Sequence, residues 1–138
     1  MVTFLGVAAC VAAWTGSSAC GGAARPTFTP QEETGRILYA GSCFQCHEAA
    51  DNGTGRLAPP HGPQGHTWHH PDGEIIDIVL GRLDYPGRAM PSFQGKLSAE
   101  EVLAILAYLK TNWTPEQREF QEAVTRDPSL PRPPRQRP

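Results

Sequence analysis

At 138 residues the chain is sized for one small domain with extensions, and a domain that small buries too little surface to rely on its core alone, so a covalent link or a cofactor is expected to help. Lys and Arg number 12 against 14 Asp and Glu, which removes the electrostatic reason to look for a nucleic-acid partner.

Residues 1–24, MVTFLGVAACVAAWTGSSACGGAA, carry no charged side chain; the first is Arg25. The run is too short and too interrupted by Gly, Ser and Thr to span a bilayer, and an apolar stretch followed by small residues has the pattern of an export signal. The usual positive start is missing, which points either to an initiation site upstream of Met1 or to an atypical signal. Cys20, between SSA and GG, stands in an imperfect lipobox, with Ser17 where Leu is preferred. Lipid attachment at Cys20 and simple cleavage near Ala19 or Ala24 are both open. The expectation is an export or lipoprotein signal over 1–20, a linker over 21–29, and a mature protein in the periplasm or on the outer face of the cytoplasmic membrane.

A helix is predicted from Pro30, with Thr29 as N-cap, Pro30 at the first helical position and Glu32 and Glu33 in the first turn. Beyond the cysteine motif, residues 48–71 hold several Gly and Pro and four histidines without apolar periodicity, the pattern of a loop. PDGEIIDIVLG reads as a short helix with Ile75, Ile76, Val79 and Leu80 on one side and Gly81 as its stop. LSAEEVLAILAYLKTNW gives the strongest helix signal, with a Ser98/Glu101 capping box and an apolar face of Val102, Leu103, Ile105, Leu106 and Leu109. TPEQREFQEAVTR repeats the capping logic with Thr114 and Gln117, but Phe120 and Val124 are almost its only apolar residues, so weak anchoring is expected. The Pro- and Arg-rich end cannot build a core. No strand is predicted.

CFQCH, at 43–47, is the informative stretch. A structural zinc site needs four ligands, and the other cysteines, Cys10 and Cys20, lie in the export segment. A thioredoxin-type dithiol belongs to a βαβ pattern that is absent before Cys43. C-x-x-C-H is the attachment signature of c-type haem: two thiols add across the vinyl groups on one porphyrin edge, and the adjacent imidazole reaches the iron. Cys43 and Cys46 are therefore the expected thioethers and His47 the proximal ligand. After export one methionine remains, Met90, followed by Pro91, and it is favoured as the distal ligand over a histidine of the loop.

These features together resemble a small monohaem class I cytochrome c over residues 30–113, with 114–138 left as a weak helix and tail. The resemblance rests on CFQCH, on the Met-Pro after a loop, and on Gly35 and Tyr39 four residues apart in the first helix, matched by Ile105 and Tyr108 in the last. It implies an all-α fold of three to four helices around one covalent haem, with the terminal helices crossing at Gly35. It also implies a proline carbonyl accepting the proximal imidazole's N–H, from Pro59 or Pro60.

The chain departs from simpler members in PPHGPQGHTWHHPD, similar to the GHTWHH loops of a subgroup of exported bacterial cytochromes. Three uses are open to it: Trp68 and a nearby histidine bonding the haem propionates, copper held by His66, His69 and His70, or a histidine competing with Met90 for iron. The function implied is a one-electron carrier, not an enzyme, serving transient redox partners. From Arg25 to Trp113 there are 7 basic and 10 acidic residues, which favours a partner with a basic or neutral face. The contrasting readings are a haem sensor or peroxidase-like enzyme with a labile Met90, and a copper-handling module.

Overall fold

The computed structural model describes residues 26–83 and 89–132, so the export segment, Cys20 and the last six residues lie outside the description. In chain order the helices are α1 (Pro30–Ser42), α2 (Phe44–His47), α3 (Asp72–Leu80), α4 (Ala99–Lys110) and α5 (Pro115–Arg126), with a 3₁₀ turn at Thr67–His69 between α2 and α3. Among the described residues there is no strand, only an isolated bridge between Gln94 and Leu97. The fold is all-α and cytochrome c-like, with more helical elements than the sequence implied, because the motif cysteines form a turn of their own and α5 joins the body. No described helix is long and apolar enough to cross a membrane.

The starts of α1, α4 and α5 are set by capping boxes: Thr29 with Glu32, Ser98 with Glu101 and Thr114 with Gln117. In each, the cap hydroxyl accepts from the third backbone N–H while the acid or amide reaches back to the cap N–H, satisfying two donors that a helix start leaves open. α3 ends at Gly81, whose φ of 73° is the left-handed conformation that a Cβ would penalise.

α1 and α4 form the main contact, and Gly35 is why they approach so closely. A Cβ placed there would lie 1.8 Å from the Ala104 carbonyl oxygen. Hydrogen in place of a methyl lets the two backbones touch, and Tyr39 and Tyr108 then close the crossing with ring centroids 5.7 Å apart. The core that results joins Tyr39, Ile75, Leu80, Val102, Ile105, Leu106, Leu109 and Trp113. Leu103, expected on the apolar face of α4, is instead exposed, and Ala104 is buried against α1. A broad hydrophobic run on a helix spans more than the buried arc.

α5 is held more firmly than its two apolar residues suggest. Val124 and Gln121 are both fully buried. The Gln121 side-chain amide donates to the carbonyl of His70 at 3.2 Å, to the Asp72 carboxylate at 2.6 Å and to the Thr125 hydroxyl at 3.0 Å. Lys110 pairs with the other Asp72 oxygen at 2.9 Å, so the start of α3, the end of α4 and the middle of α5 meet in one polar knot. Polar anchoring has no hydrophobic periodicity, and so it escaped a reading based on apolar spacing.

Candidate functional site

The motif lies at the end of α1, where the chain turns into α2. Cys43 is the last N–H of the first helix, bonded to the Tyr39 carbonyl at 2.9 Å, and its side chain is buried, whereas Cys46 is exposed. Burial, with Cys46 nearby, pushes the Cys43 thiol up to about 11. Reactive dithiols carry a depressed pKa, so this thiol has the opposite electrostatics from a redox-exchange pair.

His47 is buried and its Nδ1 lies 2.7 Å from the carbonyl oxygen of Pro59. A carbonyl only accepts, so Nδ1 carries the proton and the lone pair resides on Nε2. Of the two prolines the sequence left open, Pro59 is the one in contact. The bond fixes both the tautomer and one point of the ring.

Glu48, next in the chain, has φ 59° and ψ −155°, a region almost reserved for glycine, where a non-glycine residue costs roughly 1–3 kcal/mol. Four contacts hold it there. Its N–H donates to the Phe44 carbonyl at 2.8 Å and its own carbonyl accepts from the Tyr39 hydroxyl at 2.9 Å. Its carboxylate accepts from the Thr54 backbone N–H and, at 2.7 Å, from the Thr54 hydroxyl. These donors also lower the Glu48 pKa. The strained residue thus aims the chain away immediately after His47, and Tyr39 links that turn to the helix crossing.

The sequence gives His61 no role of its own, yet its ring sits against His47. The two rings stack with centroids 4.1 Å apart at 28°. Tyr39 meets the same ring edge-on at 5.9 Å, the Thr67 hydroxyl lies 2.7 Å from His61 Nδ1, and the Trp113 indole donates to the His61 carbonyl at 2.7 Å. Desolvation, reinforced by the neighbouring His47 and His66, lowers the His61 pKa to about 3, so the ring is neutral. Its only signal in the sequence was its place directly after Pro59 and Pro60.

The other loop histidines do not assemble into a metal site. His70 Nδ1 pairs with Glu74 at 3.0 Å, and His69 is buried against the Trp68 and Phe120 rings. Among the described residues no group of three or more His, Cys, Asp or Glu is placed to hold a metal ion. Copper at His66, His69 and His70 is therefore not supported: the His66 ring lies 6.4 Å from that of His69 and 5.7 Å from that of His70, centroid to centroid, but His69 packs against aromatic rings and His70 is paired with Glu74. The Trp68 indole N–H is committed to the Gly65 carbonyl at 2.9 Å, so its single donor is not free for a haem propionate.

Met90 is half-buried and follows the undescribed residues 84–88. The segment after it is pinned: the Ser92 hydroxyl donates to the Leu80 carbonyl at 2.8 Å and the Phe93 N–H to the Val79 carbonyl at 3.0 Å.

A family model described as cytochrome c oxidase, cbb3-type, subunit III, matches residues 30–109, more than half of the chain. The chain belongs to this family. It is a small class I cytochrome c, built on a c-type cytochrome domain whose work is haem-based electron transfer among redox partner proteins. Neither a curated protein nor a solved structure matches the chain. The matched residues of this cytochrome take in α1, the motif, the histidine loop and α4, and stop short of α5.

The residues present fit haem c. Two cysteines and an imidazole with its lone pair on Nε2 are a soft and borderline donor set suited to thioether formation and iron ligation, and the ring is already oriented from behind.

Proposed function

We propose that this cytochrome is an exported one-electron carrier with a single haem c, attached through Cys43 and Cys46 and ligated by His47 Nε2 and Met90. The observation that carries the reading is the Nδ1–H bond from His47 to Pro59, which leaves the other nitrogen for a metal in a residue directly adjoining both cysteines. When bound, the haem supplies the ferrous–ferric couple. The chain's part is to keep His47 still through Pro59, to exclude water with the α1–α4 core, and to present Met90 from a segment tied to α3. A fixed ligand set lowers the rearrangement that accompanies electron gain. With His47 and Met90 both holding the haem, no position would be left open for a substrate, so an enzymatic role is not proposed. The uncharged stretch 1–24 supports export to the periplasm or the outer face of the cytoplasmic membrane, and the mildly acidic body favours a partner with a basic or neutral docking face.

The test is the near-infrared methionine-to-iron charge-transfer band of the oxidised holo protein, in wild type and Met90→Ala. Loss of the band in the variant, with low carbon monoxide reactivity of reduced wild type, is the expected result. Wild type that lacks the band and binds carbon monoxide readily would replace the carrier with the sensor or peroxidase-like reading.

A further inference from the structure

We infer that His61 is a positioning residue for His47: its ring, clamped in place by the histidine loop, fixes the plane of the proximal imidazole and shields the His47–Pro59 hydrogen bond from water. The inference rests on the assignment of His47 as the iron ligand.

One hydrogen bond does not define the orientation of a planar ring. The bond from Nδ1 to the Pro59 oxygen holds one atom, and the imidazole remains able to tilt about the N–H···O line. A second plane stacked at 4.1 Å removes that freedom, because any tilt drives one ring edge into its neighbour. For this to work, the second plane must itself be fixed. Thr67 Oγ1, 2.7 Å from Nδ1, sets the rotation of the His61 ring, the Tyr39 edge bounds another side, and the Trp113 indole N–H holds the backbone carbonyl at 2.7 Å.

The loop that carries His61 is in turn gripped by α5, the helix beyond the family match. The Gln117 side chain donates to the Pro63 carbonyl at 2.8 Å, and Gln121 to that of His70. The histidine loop and the added helix thus form one support behind the proximal ligand.

The electronic consequence has a sign. A well-formed, dry hydrogen bond from Nδ1 makes the imidazole a stronger donor, which favours ferric iron and lowers the midpoint potential. Removing the His61 ring lets the plane wander and water reach the bond, so the potential rises.

The experiment compares holo wild type with His61→Ala, which removes the ring, His61→Phe, which keeps a planar stack, and Thr67→Val, which preserves volume but frees the ring's rotation. Midpoint potentials and the paramagnetic shifts of the haem methyls in the ferric protein are read for each. The expected result is a rise in His61→Ala that changes the ferrous-to-ferric ratio at the wild-type midpoint at least twofold, about 18 mV at 59 mV per tenfold for one electron. Thr67→Val follows with an altered methyl pattern, and His61→Phe returns toward wild type. Unchanged potentials and methyl shifts in all variants, with only the melting temperature lowered, overturn the inference in favour of simple packing. If His61→Ala does not retain haem, Thr67→Val decides: a wild-type methyl pattern overturns the inference and a changed one supports it. A His47→Ala variant that keeps the wild-type spectrum sinks the ligand assignment itself, whereas its loss beside silent His61 variants sinks only this proposal.

Discussion

Replacing Gly35 with Ala tests the helix crossing on which the whole site hangs. The new Cβ would stand 1.8 Å from the Ala104 oxygen, 2.4 Å from its carbon and 3.0 Å from the Ile105 nitrogen. Carbon and carbonyl oxygen approach to about 3.3 Å at best, so α1 and α4 must part by roughly 1.5 Å. The obstructing atoms are backbone and cannot swing aside. A radial gap of that size forfeits much of the dispersion at the crossing, and overpacking of this kind costs about 3 kcal/mol at the upper end of its usual range. Helix propensity returns about 1 kcal/mol when Gly becomes Ala, leaving a net loss of about 2 kcal/mol. For a domain of this size that lowers Tm by roughly 8–16 °C. Gly41, in the same helix, is the control: a Cβ there meets nothing within 4 Å, so Gly41→Ala is expected to stabilise by up to about 1 kcal/mol. Thermal unfolding of the holo proteins, followed by far-ultraviolet circular dichroism, reads both. Gly35→Ala melting at or above wild type would refute the close-approach argument.

Gln121→Leu strips the amide donor from the His70 carbonyl and the Asp72 carboxylate, and is expected to cost about 1–3 kcal/mol and to raise hydrogen exchange first in α5; α5 protection equal to wild type would show that the polar knot is not its anchor. His69 is buried, which lowers its pKa below the usual 6.5, so the unfolded chain takes up a proton before the folded one and stability falls as pH drops below about 6.5. His69→Leu should flatten Tm against pH below about 6.5, and an unchanged slope would count against the neutral buried ring. Glu74 acts in a lower window. Burial raises its pKa, but the hydrogen bonds and charges of His70 and Arg132 outweigh that and leave it depressed, so its contribution is complete above about 4.5 and is lost as pH falls through the folded value. Glu74→Gln should therefore lower stability at neutral pH and reduce the loss on acidification below about 4.5, as read by denaturant midpoints across that range.

Much of this architecture was written in local signals. The three capping boxes, the Gly81 stop and the pairing of Gly35 with Tyr39 each depend on residues within a few positions of one another, and such short-range chemistry is legible because it does not wait for the rest of the chain to fold. The motif at 43–47 is of the same kind: its spacing alone joins two thiols to an imidazole.

Tertiary structure decided what spacing cannot express. Pro59 rather than Pro60 faces His47, because the loop's path brings one of two adjacent carbonyls to the ring. His61 reached His47 although it lies 14 positions further along the chain, and Gln121 became a buried anchor on a helix that looked barely attached. Leu103 lost its expected place in the core because α4 turns Val102, Ile105, Leu106 and Leu109 inward and sets the Ala104 carbonyl against Gly35. The sequence determined which side chains were available and where the helices begin; the packing of loop and α5 against the body determined which of them meet, since hydrogen-bond direction and ring stacking exist only once distant segments share the same space.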